Sequence, residues 1–231
     1  MPIPRYSDTF RFVLAPTAVF AVLMTVMSWT HVDLLLADAV YSAGGNAWVW
    51  RDAWLTNAVI HDGGRNLVAV LVTVLLGTLG LSFFSRRAAR WRPYLIYLFA
   101  TAFVAAALIN VLKEVTQVDC PWDIDRYGGT NAYVSLFGER PSTQEPGRCF
   151  PAGHASAAYC WLGLFFIAHH VRPRWRLAAL LTPVSLGVVF GVAQQLRGAH
   201  FLSHDLWTLY LCWMTAALMY LAMFKARWRA S

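Results

Sequence analysis

Six stretches of this chain run for about twenty residues with charge only at their edges. They cover residues 12–30, 66–85, 94–113, 152–171, 177–196 and 205–223. A helix of roughly 20 apolar residues crosses the hydrocarbon core of a bilayer. In lipid, a backbone must satisfy its own polar groups, which leaves helices or closed barrels. Unbroken apolar runs of this length choose helices. The reading is an all-α, polytopic membrane bundle of six transmembrane helices, one domain over residues 1–231. Only 13% of the 231 residues are charged, about half the share of a soluble domain. The first window, FVLAPTAVFAVLMTVMSWT, exceeds a signal-peptide core and lacks a small-residue cleavage site. It reads as a retained helix.

The net charge of +7 is spread unevenly. Arg5 and Arg11 precede the first window. Arg86, Arg87, Arg90 and Arg92 lie between the second and third, and Arg172, Arg174 and Arg176 between the fourth and fifth. Lys225, Arg227 and Arg229 follow the sixth. All fall on one side of a six-span topology, and basic flanks mark the cytoplasmic side. Both termini are therefore expected in the cytoplasm of a bacterium, with the chain in its inner membrane. The positive balance reports orientation and anionic headgroups. No stacking platform or basic groove accompanies it, so nucleic acid is not an expected partner; the bilayer is.

The opposite, periplasmic side holds residues 31–65, 114–151 and 197–204, with most of the acidic residues and, counting His154 at the membrane boundary, five of the seven histidines. Residues 31–65 mix apolar and polar positions at helical spacing and carry tryptophans, as outer interfacial helices do. Residues 114–150 form a long loop rich in Gly, Pro, Asp and Arg. Long ordered loops of this kind are commonly functional. Cys120 and Cys149 lie near its two ends on the oxidising side, where a disulfide is expected; two free thiols are the alternative. Cys160 and Cys212 lie in apolar windows and read as small core residues.

Polar chemistry gathers at this outer lip. Lys113 ends the third window and His154 opens the fourth, in CFPAGHASAAYCW. Arg197, His200, His204 and Asp205 lie between the fifth and sixth. Lys113 and Arg197 would also serve as snorkelling flanks, and His169 and His170 suit the cytoplasmic end. Yet Pro151-Ala152-Gly153-His154 sets an imidazole beside the free N–H groups of a helix start, where anions are held.

These motifs resemble those of the type 2 phosphatidic acid phosphatase (PAP2) family: K-x6-R-P, P-S-G-H and S-R-x5-H-x3-D. Lys113 and Pro121 fit the first, with Cys120 at the arginine position; Arg126 and Arg140 are the neighbouring arginines that would restore that charge. Pro151, Gly153 and His154 fit the second, with Ala152 in place of serine. In AQQLRGAHFLSHDLW, His200 takes the nucleophile position, Gln194 the arginine position and His204 the aspartate position. Arg197 and Asp205 are then the nearby substitutes. The other register makes His204 the nucleophile; His200 is preferred because it keeps Gly-x-His. The catalytic motifs thus span 113–205, and the first two windows carry none.

The resemblance implies a metal-independent, cofactor-free hydrolase of lipid phosphates or diphosphates. His200 Nε2 would attack phosphorus and form a phosphohistidine, with Asp205 holding the other ring nitrogen. His154 would act as acid and then base. Lys113, Arg197, His204 and the backbone at Gly153 would bind phosphate. Undecaprenyl diphosphate, phosphatidylglycerol phosphate, phosphatidic acid and lipid A phosphates are the candidate substrates. A lipid phosphotransferase would share the same residues; an inactive relative, a transporter and a haem-binding membrane protein are the competing classes. Oligomeric state is not legible.

Overall fold

A computed structural model describes residues 6–136 and 138–225. The expected basic flanks Arg5, Arg227 and Arg229, and the side chain of Lys225, lie outside the described residues. Every regular element described is helical, with one isolated bridge between Ile124 and Asn131. The main helices are α1 (Ala15–Thr30), α2 (Val32–Ala43), α3 (Gly63–Phe84), α4 (Arg92–Thr116), α5 (Gly153–Tyr159), α6 (Gly163–Val171), α7 (Arg176–Leu196) and α8 (Leu202–Tyr220).

Five helical stretches are long and apolar enough to cross a membrane: Phe10–Thr30, Leu55–Phe84, Arg92–Asp123, Pro173–Leu196 and Leu202–Phe224. The chain is a multi-pass membrane protein. Five of the six expected spans meet this measure; the expected span over residues 152–171 does not. Residues 152–171 are helical but broken: α5 and α6, of 7 and 9 residues, are joined by a tighter turn at Cys160–Leu162. The second span also begins earlier than expected. A π-helical stretch, Leu55–Asp62, leads directly into α3, so residues expected at the interface extend a span instead.

Local chemistry explains the ends. Proline near the start of α1 and of α4 suits a first turn that needs no N–H donor. His31 and Gln117 end those same helices in the left-handed region, at φ 53° and 52°, which turns the chain out of the helix.

The broken segment is the centre of the bundle. Ala152, Ala155, Leu162 and Phe166 are inaccessible, and α4, α7 and α8 surround them. Close approach rests on glycine. A Cβ on Gly187 of α7 would lie 2.1 Å from the Tyr159 ring, and one on Gly163 would lie 2.9 Å from Thr101 Oγ1 of α4. The first two spans are peripheral and turn large apolar side chains outward, Trp29 at 86% and Phe84 at 91% exposure. Such surface suits lipid rather than water. Buried polar links hold the bundle: Tyr97 Oη donates to the Ala216 carbonyl (2.8 Å), and Trp213 Nε1 donates to that of Phe12 (2.9 Å). Among the basic flanks, Arg92 is a staple, bonded to the Ser82 carbonyl and stacked 4.3 Å from the Phe83 ring.

At the other end, α2 and the long loop form a cap. Arg126 makes two bonds to Asp38 (2.7 and 2.6 Å), and Tyr127 Oη donates a third (3.0 Å). The Arg126 guanidinium holds the Asp38 carboxyl below its ordinary range. Asp33 of α2 accepts the Ser203 backbone N–H (2.9 Å). It thereby caps α8 from outside, where the residue before the helix, Phe201, has no polar side chain to do so. The loop is fastened at both ends. Gly147 N–H donates to the Gln117 carbonyl (3.2 Å), Cys149 N–H to that of Val118 (2.9 Å), and Thr116 Oγ1 to that of Phe150 (2.9 Å). Cys120 and Cys149 form the expected disulfide.

Candidate active site

Most of the residues picked out by the motifs converge. The start of α5 is pinned to the first turns of α8: Ala152 N–H donates to the His204 carbonyl (3.3 Å), and Thr208 Oγ1 donates to the Ala152 carbonyl (3.2 Å). These bonds hold the helix start that carries His154 against the helix start that carries His204. Lys113 reaches over from the end of α4. A Cβ on Gly153 would lie 3.1 Å from its Nζ, so the glycine leaves room for the ammonium. Lys113 Nζ also donates to the Arg148 carbonyl (3.0 Å). The fastened loop therefore aims this cation.

His200 follows a left-handed turn at Gly198 (φ 74°). Its ring centre lies 5.8 Å from that of His204, four residues on. Both rings are buried, and neither Nδ1 has a hydrogen-bond partner among the described residues. Burial, then the neighbouring His204 and Lys113, pushes His200 well below the ordinary histidine range. It is neutral at pH 7 and keeps a free lone pair. Arg197 is buried beside it. Its Nε donates to the Arg51 carbonyl (2.8 Å), and its Nη1 lies 3.5 Å from Gln194 Oε1. Burial lowers its pKa, and it lies within electrostatic range of His154.

Asp205 is nearby but turned elsewhere. Gln195 Nε2 donates to its Oδ2 (2.6 Å), and its carboxyl packs on Gly191 of α7. No described bond joins it to His200. Standing one residue later than the motif's aspartate, it points about 100° further round the helix, toward α7. Arg126 and Arg140 do not restore the missing motif charge; they are bound to Asp38 and Asp119 (3.1 Å). A cavity of about 140 Å³ touches His200, but its lining holds Asp33 and no lysine or arginine, the wrong charge for a phosphate.

His61 was missed by sequence reasoning. It lies at the end of the π-helical stretch, and its ring stacks on His154 with centres 3.9 Å apart and planes 16° apart. His154 Nε2 lies 3.2 Å from the His61 carbonyl, and His61 Nδ1 lies 3.2 Å from Asp62. The signal was its membership in the outer histidine set; nothing local tied it to a residue 93 positions away. Among the described residues, no group of three His, Cys, Asp or Glu is placed to hold a metal ion.

His204, Lys113 and His154 thus lie within electrostatic range of the buried His200 imidazole, and Arg197 lies within range of His154. A profile of the PAP2 superfamily matches residues 93–228. The chain belongs to the PAP2 superfamily. The match begins at the start of α4 and takes in every motif residue, leaving the first two spans outside it. Among solved structures, the chain is similar to that of the first transmembrane PAP2-type phosphatidylglycerolphosphate phosphatase from Bacillus subtilis. That similarity has a TM-score of 0.52 and 17% identity, and covers 94% of this chain and 96% of that one. The shared fold thus includes the two leading spans. No curated protein matches.

Proposed function

We propose that this PAP2 chain is a lipid phosphatase. The observation that carries the reading is the buried, neutral His200 with Lys113, His154 and His204 within range of it, and Arg197 within range of His154. The unprotonated ring nitrogen of His200 attacks phosphorus. As the N–P bond forms, the P–O bond to the lipid breaks, and His154 gives its proton to the leaving oxygen. Water then attacks the phosphohistidine, His154 takes a proton from it, and the N–P bond breaks to release phosphate. Lys113 and Arg197 balance charge on the non-bridging oxygens, which is the main catalytic demand of phosphoryl transfer. In this account the residues themselves supply the charge, and activity needs no added metal. Residues 152–171 form a sixth crossing whose break lies mid-bundle. The site faces the periplasm of a bacterial inner membrane, with both termini in the cytoplasm and α2 at the outer interface. A lipid enters sideways with its tails in the bilayer. Phosphatidylglycerol phosphate is the first substrate to test, because the similar solved structure is named for it; undecaprenyl diphosphate, phosphatidic acid and lipid A phosphates complete the panel.

The test is phosphate release from these lipids by the purified protein in detergent, with a chelator present. His200→Ala should abolish it, and His154→Ala should lower it by about 10²- to 10⁴-fold. Activity that survives His200→Ala and is lost in His204→Ala would move the nucleophile to His204. Activity that the chelator removes would refute the metal-free mechanism.

A further inference from the structure

His61 and Asp62 take no part in the reaction above, yet they lie against its acid–base residue. A carbonyl oxygen only accepts, so the 3.2 Å contact from His154 Nε2 to the His61 carbonyl places a proton on Nε2. In the neutral ring, Nδ1 is then the free base. The His61 ring covers one face of His154 at 3.9 Å, which blocks rotation of an imidazole on the first turn of a short helix. His61 is held in turn: its Nδ1 contacts Asp62 Oδ1 at 3.2 Å, and Arg65 reaches the same oxygen at 3.4 Å. The wide winding of Leu55–Asp62 is a local departure of the kind that recurs at functional sites.

We propose that His61 is a positioning residue for His154. Its carbonyl fixes the tautomer, its ring fixes the plane, and Asp62 fixes the His61 ring, so that His154 presents Nδ1 to the leaving oxygen. The proposal rests on the phosphatase reading and extends the site to the second span, outside the family match. The groups facing His154 are His61 from the start of that span, Lys113 from α4, and Arg197 and His200 from the turn after α7. All are cationic or become so on protonation. Removing the His61 imidazole relieves repulsion on a protonated His154.

The experiment uses the full chain in nanodiscs with short-chain phosphatidylglycerol phosphate. His61→Ala should lower kcat by roughly 10- to 100-fold, as small misplacements of catalytic groups do, with KM changed less than about twofold. His61→Phe keeps a flat face and should recover kcat to within about threefold of the parent. Because Phe carries no charge, the acid limb of its kcat profile should move to higher pH. An active parent whose His61→Ala variant keeps both kcat and pH profile would overturn the proposal. A second arm does not depend on turnover. Nitrogen-15 histidine spectra, with His154 assigned by signal loss in His154→Gln, should show its neutral ring protonated on Nε2; protonation on Nδ1 would overturn the proposal. If the parent releases no phosphate from any lipid, the phosphatase reading fails, and the tautomer alone decides the positioning claim.

Discussion

Replacing Gly198 with alanine should loosen the site through two separable costs. Gly198 has φ 74°, a conformation that costs an L-residue about 1–2 kcal/mol. A Cβ there would also lie 2.4, 2.5 and 2.8 Å from three carbons of the Trp48 ring. Trp48 cannot easily move, since Tyr41 and Tyr127 pack on it with ring centres 5.3 and 5.4 Å away. Overpacking of this kind costs about 1–3 kcal/mol. Together the costs reach roughly 2–5 kcal/mol, or a melting-point fall of about 4–20 °C for a chain of this size. Gly198 stands between Arg197 and His200, and its carbonyl accepts the Trp122 N–H (3.0 Å), so phosphate release should fall with stability. The assay is a double-mutant cycle by thermal unfolding in detergent, with Trp48→Ala as the second change. Trp48→Ala removes the clash and leaves the backbone strain. Gly198→Ala should therefore cost about 1–3 kcal/mol less in that background. Additivity within about 0.5 kcal/mol would refute the packing argument.

Two further outcomes follow from the same geometry. Burial lowers the His200 pKa, so below about pH 6.5 the unfolded chain binds a proton that the folded chain refuses. Stability should then fall as pH drops through that window, by up to ~1.4 kcal/mol per unit from this group, and be independent of it above; His200→Phe should flatten the slope of melting point against pH between 7 and 5. The Cys120–Cys149 bridge closes a loop of 29 residues, and Cys120→Ser/Cys149→Ser should cost roughly 3–4 kcal/mol, read as a lower melting point that added reductant reproduces in the parent.

Five of the crossing segments were legible because lipid demands length and apolarity, and both are written locally. The break in 152–171 was not. Cys160, Trp161 and Leu162 are as apolar as their neighbours, and what bends the chain there is packing on α4 and α7 through Gly163 and Gly187. The early start of the second span was hidden for the opposite reason: His61, Asp62 and Arg65 put polar residues inside a helix that tertiary contacts stabilise. Within the site, spacing to known motifs located Lys113, His154, His200 and His204. It could not show that Asp205 turns to Gln195, because the direction of a side chain on a helix depends on a single residue of register. Nor could it show the His61–His154 stack, a contact between residues 93 positions apart.

The double fastening of the long loop has a consequence for how this site could change over time. Residues 116–118 and 147–150 are laced together and crosslinked, and the carbonyl that aims Lys113 belongs to the laced part. The intervening residues are held in place at their base, much as an exchangeable tool is held in a chuck. Their length and composition can drift without moving the ammonium or the imidazoles. On the phosphatase reading, grafting residues 130–145 from a relative should leave turnover in place, measured as phosphate release.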